Sequence, residues 1–396
     1  MVSSMEFVEN ATIPITIAKE FTALNWDGVT TYQGQWIRSD NPALHIYYQA
    51  LQRRPGYTMS YEDFRNLVQR PVDHPGGNAE FVITHVPHLS EEMIVARIPH
   101  FAAWALTADG VFPVAMVAEP ADLGIEQFRD HWPIDEMSGS RVLVIGAGSI
   151  GGSAIEALAG YGIGTIDVVD PDRLLFHNTV RHVLGPEYVG RTKVAAMKAA
   201  VETRWPTTKV APHEMDIVED THLVHGLFKQ ADVVLCAADG IAPRRVVSHL
   251  SKRHRTTAVL ACVLDDGAYG ELIRIRPGPL FGCLLCQRAD LADNGGIDAE
   301  AIQETPYAAN TGNHHRPMTA VGPDLHLVGT LAAKVAVATL LQAKGDATQV
   351  LPGENAVISL RPSRDIAAPF DLTEAGQIQW HPAALPRPEC FTCSTP

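Results

Sequence analysis

Short β-branched and aliphatic runs alternate with stretches of helical spacing through the second part of the chain. Val142–Ile145 is four apolar positions in a row, Ser149 to Tyr161 spaces apolar and small residues as a helix does, and Ile163–Val169 is again strand-like. Strand, helix and strand in that order form a βαβ unit, which implies parallel strands with helices on the sheet faces. The alternation continues with a helix over Arg191–Arg204, a strand near Lys209–Met215, a strand over Asp232–Cys236, a helix over Pro243–Arg253 and a strand over Ala258–Val263. Val263–Ile275 reads as two strands joined by a turn at Asp265–Tyr269. Residues 288–318, rich in Asn, Gly, Asp and His, read as a long loop, and Leu325–Leu341 reads as an apolar helix. Earlier in the chain the pattern is weaker, with strand-like Phe81–Val86 and Val111–Val117 and a helical Tyr61–Gln69. Glu119–Ser140 is polar and contains prolines. The expected organisation is a smaller α+β domain over 1–120, a connector over 121–140 with one short helix, and a Rossmann-like, doubly wound α/β domain over 141–396.

Gly146, Gly148 and Gly151 form G-x-G-x-x-G between the first strand and helix of that domain. The first glycine permits the turn, the second lets backbone approach phosphate, and the third lets helix pack on strand. The helix N-terminus then offers N–H groups and positive potential to an anion. Asp170 ends the next strand, where a carboxylate can accept from ribose hydroxyls. Taken alone, this fingerprint reads as a nicotinamide or flavin dinucleotide site. The residues around and beyond Asp170 argue otherwise: Asp170, Asp172, Asn178, Arg181 and Lys193 cluster after the second strand. A dehydrogenase needs one acidic residue there, whereas two cations near a glycine turn suit a triphosphate. Asp239 follows the strand ending at Cys236, at the carboxyl end where ligands sit in open α/β sheets, and a carboxylate facing phosphates suggests Mg2+.

The six cysteines are Cys236, Cys262, Cys283, Cys286, Cys390 and Cys393. Four of them make two C-x-x-C pairs, Cys283/Cys286 and Cys390/Cys393. Four thiolates from two such knuckles match a closed, tetrahedral structural Zn2+ site, which would tie the tail back to the domain. Redox dithiols are the competing reading. Cys236 and Cys262 lie in apolar strands and read as small core residues.

From about Arg141 to Cys393 the chain resembles the ThiF/MoeB family, bacterial relatives of ubiquitin-activating enzymes. The residues that carry the resemblance are GAGSIGG, the D-x-D of Asp170 and Asp172, the N-x-x-R of Asn178 and Arg181, and the G-x-x-K of Gly190–Lys193. C-x-x-D-x-x-x-x-R at Cys236, Asp239 and Arg244, both C-x-x-C pairs and V-G-P at Val321–Pro323 complete the set. The resemblance implies ATP·Mg2+ binding and adenylation of a carboxylate, usually the C-terminal glycine of a ubiquitin-like or sulfur-carrier protein, by a homodimer. Carried over, Asp170 would hold ribose, Asn178, Arg181 and Lys193 would contact phosphates, and Asp239 would bind Mg2+ and support pyrophosphate departure. Arg244 takes no assigned role. Two family features are missing. Where many members carry a cysteine in the crossover loop, this chain has His315, which makes a thioester step doubtful and a short peptide a competing substrate. The R-Y-x-R-Q segment that supplies an arginine to the neighbouring subunit is absent, and Arg129 is only a weak substitute.

With Asp plus Glu at 45 against 31 Lys plus Arg, the net charge of −14 disfavours a general nucleic-acid surface or adhesion to anionic membranes. The start of the chain has neither a basic nor an apolar signal region, and no stretch is read as a membrane span, so a cytoplasmic protein is expected. Two other classes remain open: an NAD-dependent oxidoreductase on the same glycine turn, and a non-catalytic partner-binding scaffold. Residues 1–120 are assigned no chemistry.

Overall fold

The computed structural model describes residues 15–17, 59–68, 80–85, 91, 101–114, 116–118, 124–293, 320–361 and 367–394. The chain divides into two compact units, Met1–Leu123 and Gly124–Pro396. In the first, β1 (Ile15–Ile17) pairs in parallel with β5 (Met116–Ala118), and β2 (Glu80–His85), β3 (Phe101–Thr107) and β4 (Gly110–Val114) form an antiparallel sheet. Helix α1 (Tyr61–Val68) places Phe64 among Leu106 and Val111, all buried, with the Trp104 ring 5.2 Å away. Strand β4 ends at Val114, so the expected Val111–Val117 run is two separate strands. Among the described residues of this unit, no cluster of metal-ligating side chains forms.

The second unit is one eight-stranded sheet between two helical layers. Its strands are β6 (Arg141–Ile145), β7 (Thr165–Val169), β8 (Lys209–His213), β9 (Val233–Cys236), β10 (Ala258–Leu264), β11 (Tyr269–Ile275), β12 (Asn355–Ser359) and β13 (Ile378–His381). They lie in the order β13-β12-β11-β10-β9-β6-β7-β8. The five from β10 to β8 are parallel, and β11, β12 and β13 extend the sheet antiparallel. The chain starts at β6, runs outward to β8, and returns through β9 on the other side, so the order reverses between β6 and β9. A crevice opens at the carboxyl ends of the strands at such a reversal.

Alternation along each strand divides the core. Val142 and Val144 face a layer of α3 (Ser149–Gly160), α4 (Lys193–Arg204) and α8 (Gly322–Ala343). Leu143 and Ile145 face α5 (Thr221–Gln230), α6 (Ile241–His254) and α7 (Leu284–Asp293). Burial of strands on both faces explains their unbroken apolar runs. Each fully buried Val, Leu or Ile contributes about 1.5–3 kcal/mol before the entropy of ordering it is subtracted. Helices α3 and α8 cross closely: a Cβ on Gly329 would sit 2.1 Å from the Ser153 hydroxyl.

Three expectations change. The segment read as a connector belongs, from Gly124 onward, to the second unit. Helix α2 (Ile134–Ser138) buries Ile134 and Met137, the Trp132 indole N–H donates to Tyr161 O at 2.8 Å, and Gly164 N–H donates to Met137 O. Its apolar residues are too few for a periodicity, so only packing reveals them. The loop read from residue 288 starts instead as helix, since α7 begins inside the first C-x-x-C and runs to Asp293. Finally, α8 is long and apolar enough to cross a membrane by length and composition; 67% of its most apolar window is buried inside the protein.

Candidate active site and cysteine cluster

The glycine turn leaves β6 at the reversal point. Gly146 N–H donates to Val169 O and Ala237 N–H donates to Ile145 O, each at 2.8 Å, which locks the turn to both neighbouring strands. Gly146 has φ +91°, and a Cβ there would meet Ala238 N at 2.6 Å. A Cβ on Gly151 would sit 1.9 Å from Gly146 O, so helix and turn can touch only through glycine. Gly148 differs, because a Cβ there meets nothing within 4 Å. Its place in the motif is not required by packing and leaves the backbone open to a ligand.

Asp170 is 5% exposed, and both its oxygens are engaged: Oδ2 accepts from Ala147 N–H at 2.7 Å and Oδ1 from Asp172 N–H at 2.8 Å. It braces the turn. Burial raises its carboxyl above the usual range, while Lys193 and the two N–H donors pull it back. A ribose contact would be a second duty for this residue.

The spacing from Asp172 to Lys193 has a simple cause. Residues 172–174 lie against residues 190–193: Leu174 N–H donates to Arg191 O, Gly190 N–H to Leu174 O and Lys193 N–H to Asp172 O. Lys193 therefore starts α4 directly beside the two aspartates, with Nζ 2.7 Å from Asp172 Oδ2 and 3.8 Å from Asp170 Oδ1. Between them the chain makes a tight turn in which Asn178 Oδ1 accepts from Leu175 N–H at 2.9 Å and Asn178 O accepts from both Arg181 N–H and His182 N–H. N-x-x-R is thus one turn, ending in Arg181.

Asp239 lies in the loop after β9 and reaches solvent in the crevice. Desolvation by the surrounding protein raises its carboxyl above the ordinary range; Lys193, Arg181 and Arg244 oppose that shift and Asp172 adds to it. The charges of Lys193, Arg181 and Asp172 thus all act on the Asp239 carboxyl. Arg244 is 6% exposed, donates through Nε to Gly240 O at 3.0 Å and through Nη1 to Cys262 Sγ at 3.0 Å, and so ties the Asp239 loop to β10. Burial pushes the thiols of Cys236 and Cys262 up to about 11, against the reactivity of either. Arg129 is already bound by Glu126 at 2.9 Å and Asp135 at 2.8 Å. His315 lies outside the described residues.

The four expected cysteines meet beside α6, where Leu284 N–H donates to Ser248 Oγ at 3.0 Å. Sulfur separations are 3.9 Å for Cys283–Cys286, 3.4 Å for Cys283–Cys390 and 3.8 Å for Cys286–Cys393, and all four lie within 4.8 Å of one another. A tetrahedral Zn2+ with bonds of about 2.3 Å places its sulfurs about 3.8 Å apart, so the set fits a metal ion.

The ThiF family model matches residues 123–363. The chain belongs to the ThiF family. Among curated ThiF-like relatives, the probable adenylyltransferase/sulfurtransferase MoeZ of Mycobacterium tuberculosis is 34% identical over 128 residues, covering 32% of this chain and 31% of its own length. Adenylyltransferase and sulfurtransferase MOCS3 of Anopheles gambiae is 32% identical over 144 residues, or 36% of this chain and 32% of its own. The SAMP-activating enzyme E1 of Haloferax volcanii is 29% identical over 169 residues, or 40% and 62%. The match thus spans about a third of the length of the first two relatives. A crystal structure of Escherichia coli MccB with ATP superposes with a TM-score of 0.47 at 20% identity, covering 65% of this chain and 68% of that one.

Proposed function

We propose that this ThiF-family chain is an ATP-dependent adenylyltransferase that activates a C-terminal carboxylate on a ubiquitin-like or sulfur-carrier protein. The observation that supports it most is the meeting of Arg181, Lys193, Asp172 and Asp239 beside an open glycine turn at the sheet's reversal point. A dinucleotide's single pyrophosphate has no use for that many charges. The relatives named adenylyltransferase agree with this reading.

In this reading the acceptor carboxylate, ionised at neutral pH, attacks the α-phosphorus of ATP through one oxygen. A new O–P bond gives the acyl-adenylate, the bond from the α-phosphorus to the bridging oxygen breaks, and pyrophosphate leaves with that electron pair. The backbone at Gly148 and the start of α3 face the phosphates. Arg181 and Lys193 stabilise the charge that builds on them, and Asn178 orients the turn that carries Arg181. Asp239, with Asp172 near it, would hold Mg2+, which supplies charge neutralisation to the phosphates. The cysteine cluster would hold structural Zn2+. A homodimer is proposed on the family resemblance alone, since Arg129 is bound by Glu126 and Asp135 of its own chain.

A second reading has a specific basis in the sequence: no cysteine occurs between Cys286 and Cys390, so the crossover loop supplies no thiol for a thioester. A short peptide ending in a carboxylate, passed from the adenylate to an external nucleophile, then fits as well as a carrier protein. The test is ATP–pyrophosphate exchange with carrier proteins and with peptides encoded nearby. Exchange is expected with one of them; hydride transfer with no exchange would instead identify a dehydrogenase.

A further inference from the structure

His182 is buried, follows Arg181 directly, and carries no role in the reaction above. Its ring stands between two backbone groups of opposite kind. Nε2 is 2.7 Å from Ala147 O, inside the glycine turn, and Nδ1 accepts from Leu184 N–H at 3.1 Å. A carbonyl can only accept and an amide N–H can only donate, so only the neutral tautomer with its proton on Nε2 serves both. Burial also keeps the ring neutral, lowering its pKa to about 4. Space has been left for it: a Cβ on Gly152 would sit 3.1 Å from the ring's Cε1.

Arg181 is held from the other side by α8. His326 Nε2 lies 2.8 Å from Arg181 O, and a Cβ on Gly322 would lie 3.1 Å from Arg181 Cα. The V-G-P motif thus starts α8 flush against the Arg181 backbone. Ala147 in turn is gripped at both its polar groups, N–H by Asp170 and C=O by His182.

We infer that His182 is a positioning residue that fixes the Arg181 backbone to the glycine turn, so that the guanidinium and the phosphate-facing amides approach the same triphosphate in a set register. The inference rests on the adenylating function proposed above. Arginine is long and rotates freely, and its usefulness toward a transition state depends on where its backbone is anchored. One ring joining the turn to the residue next to Arg181 supplies that anchor.

The test is ATP affinity of the full chain by equilibrium dialysis, with thermal melting in parallel. His182→Gln keeps a donor at the reach of Nε2 and should bind ATP nearly as wild type does. His182→Asn keeps an acceptor near Nδ1 but falls short of Ala147 O, and should lose about tenfold or more. In an Arg181→Ala background the His182→Asn loss should nearly vanish, because no guanidinium is left to place; a ring that served only stability would give the same loss in both backgrounds. Should His182→Asn not fold, the same cycle is read from Gly152→Ala, whose methyl presses on the ring. Equal losses from Gln and Asn, or a loss undiminished by Arg181→Ala, would overturn the clamp while leaving the function standing. A wild-type chain that binds no ATP would remove the proposed function, and the clamp with it.

Discussion

The crevice and the cysteine cluster are both assembled from short motifs far apart in the chain, yet they differ in what is left over. In the cluster every sulfur faces three others within 4.8 Å and three of the four cysteines are buried. Nothing in it is offered to a second molecule, as in a structural metal site. In the crevice the groups are paired only in part: Asp172 and Asp239 reach solvent, and Gly148 has open space where a side chain would fit. A closed set of donors holds a fold together, whereas a set open to solvent leaves room for a ligand. Arg244, a buried cation, belongs to the crevice side, where it bonds to the Asp239 loop and to Cys262.

Substitutions should separate the two regions by what they damage. The largest effect is expected from Asp239→Ala, which should cut ATP–pyrophosphate exchange by about 100-fold or more with little change in melting, as loss of a group that acts on the transition state does. Next is Cys390→Ser. Metal analysis should show about one Zn2+ per wild-type chain and a loss in the variant, with destabilisation of several kcal/mol read from chemical denaturation. If that variant melts as wild type does, the cluster is not a structural site.

A finer division runs within the glycine turn. Gly151→Ala should destabilise by roughly 1–3 kcal/mol, since its methyl would overlap Gly146 O. Gly148→Ala should melt normally and lose ATP affinity by about tenfold, a pattern that calorimetry on the two proteins can check. Reversed outcomes would mean that Gly148, not Gly151, is the packing position. The smallest effect is expected at Cys262. Cys262→Ala should leave exchange within about twofold of wild type and slightly lower the melting point, because Arg244 loses a partner. No dithiothreitol-sensitive adduct should form at this residue on incubation with ATP and substrate. A mapped adduct at Cys262 would restore a thioester route.

Much of the crevice is readable in the chain because its motifs sit where backbone geometry leaves little choice. A strand ending in G-x-G-x-x-G must turn there, and the pairing of residues 172–174 with 190–193 brings Lys193 beside Asp172 whatever lies between. The two C-x-x-C pairs are legible for the same reason, as matched sets of one residue type. Three features are not. The bracing of Ala147 by Asp170 uses the same carboxylate that ribose would need, and residue type alone does not distinguish those duties. His182 follows an arginine in a stretch without periodicity, and only its two backbone partners reveal its role. Helix α7 starts within a knuckle motif and runs into an Asn- and Gly-rich stretch, so its ten residues show too little amphipathic pattern to stand out.

Carboxylate adenylation in this crevice is decided by ATP–pyrophosphate exchange measured with one substrate in two forms, with a free C-terminal carboxylate and with that carboxylate amidated. Exchange is expected with the free acid, none with the amide, and none for either form with Asp239→Ala. Exchange that persists with the amidated form, or that survives in Asp239→Ala at the wild-type rate, would contradict adenylation of a carboxylate at this site.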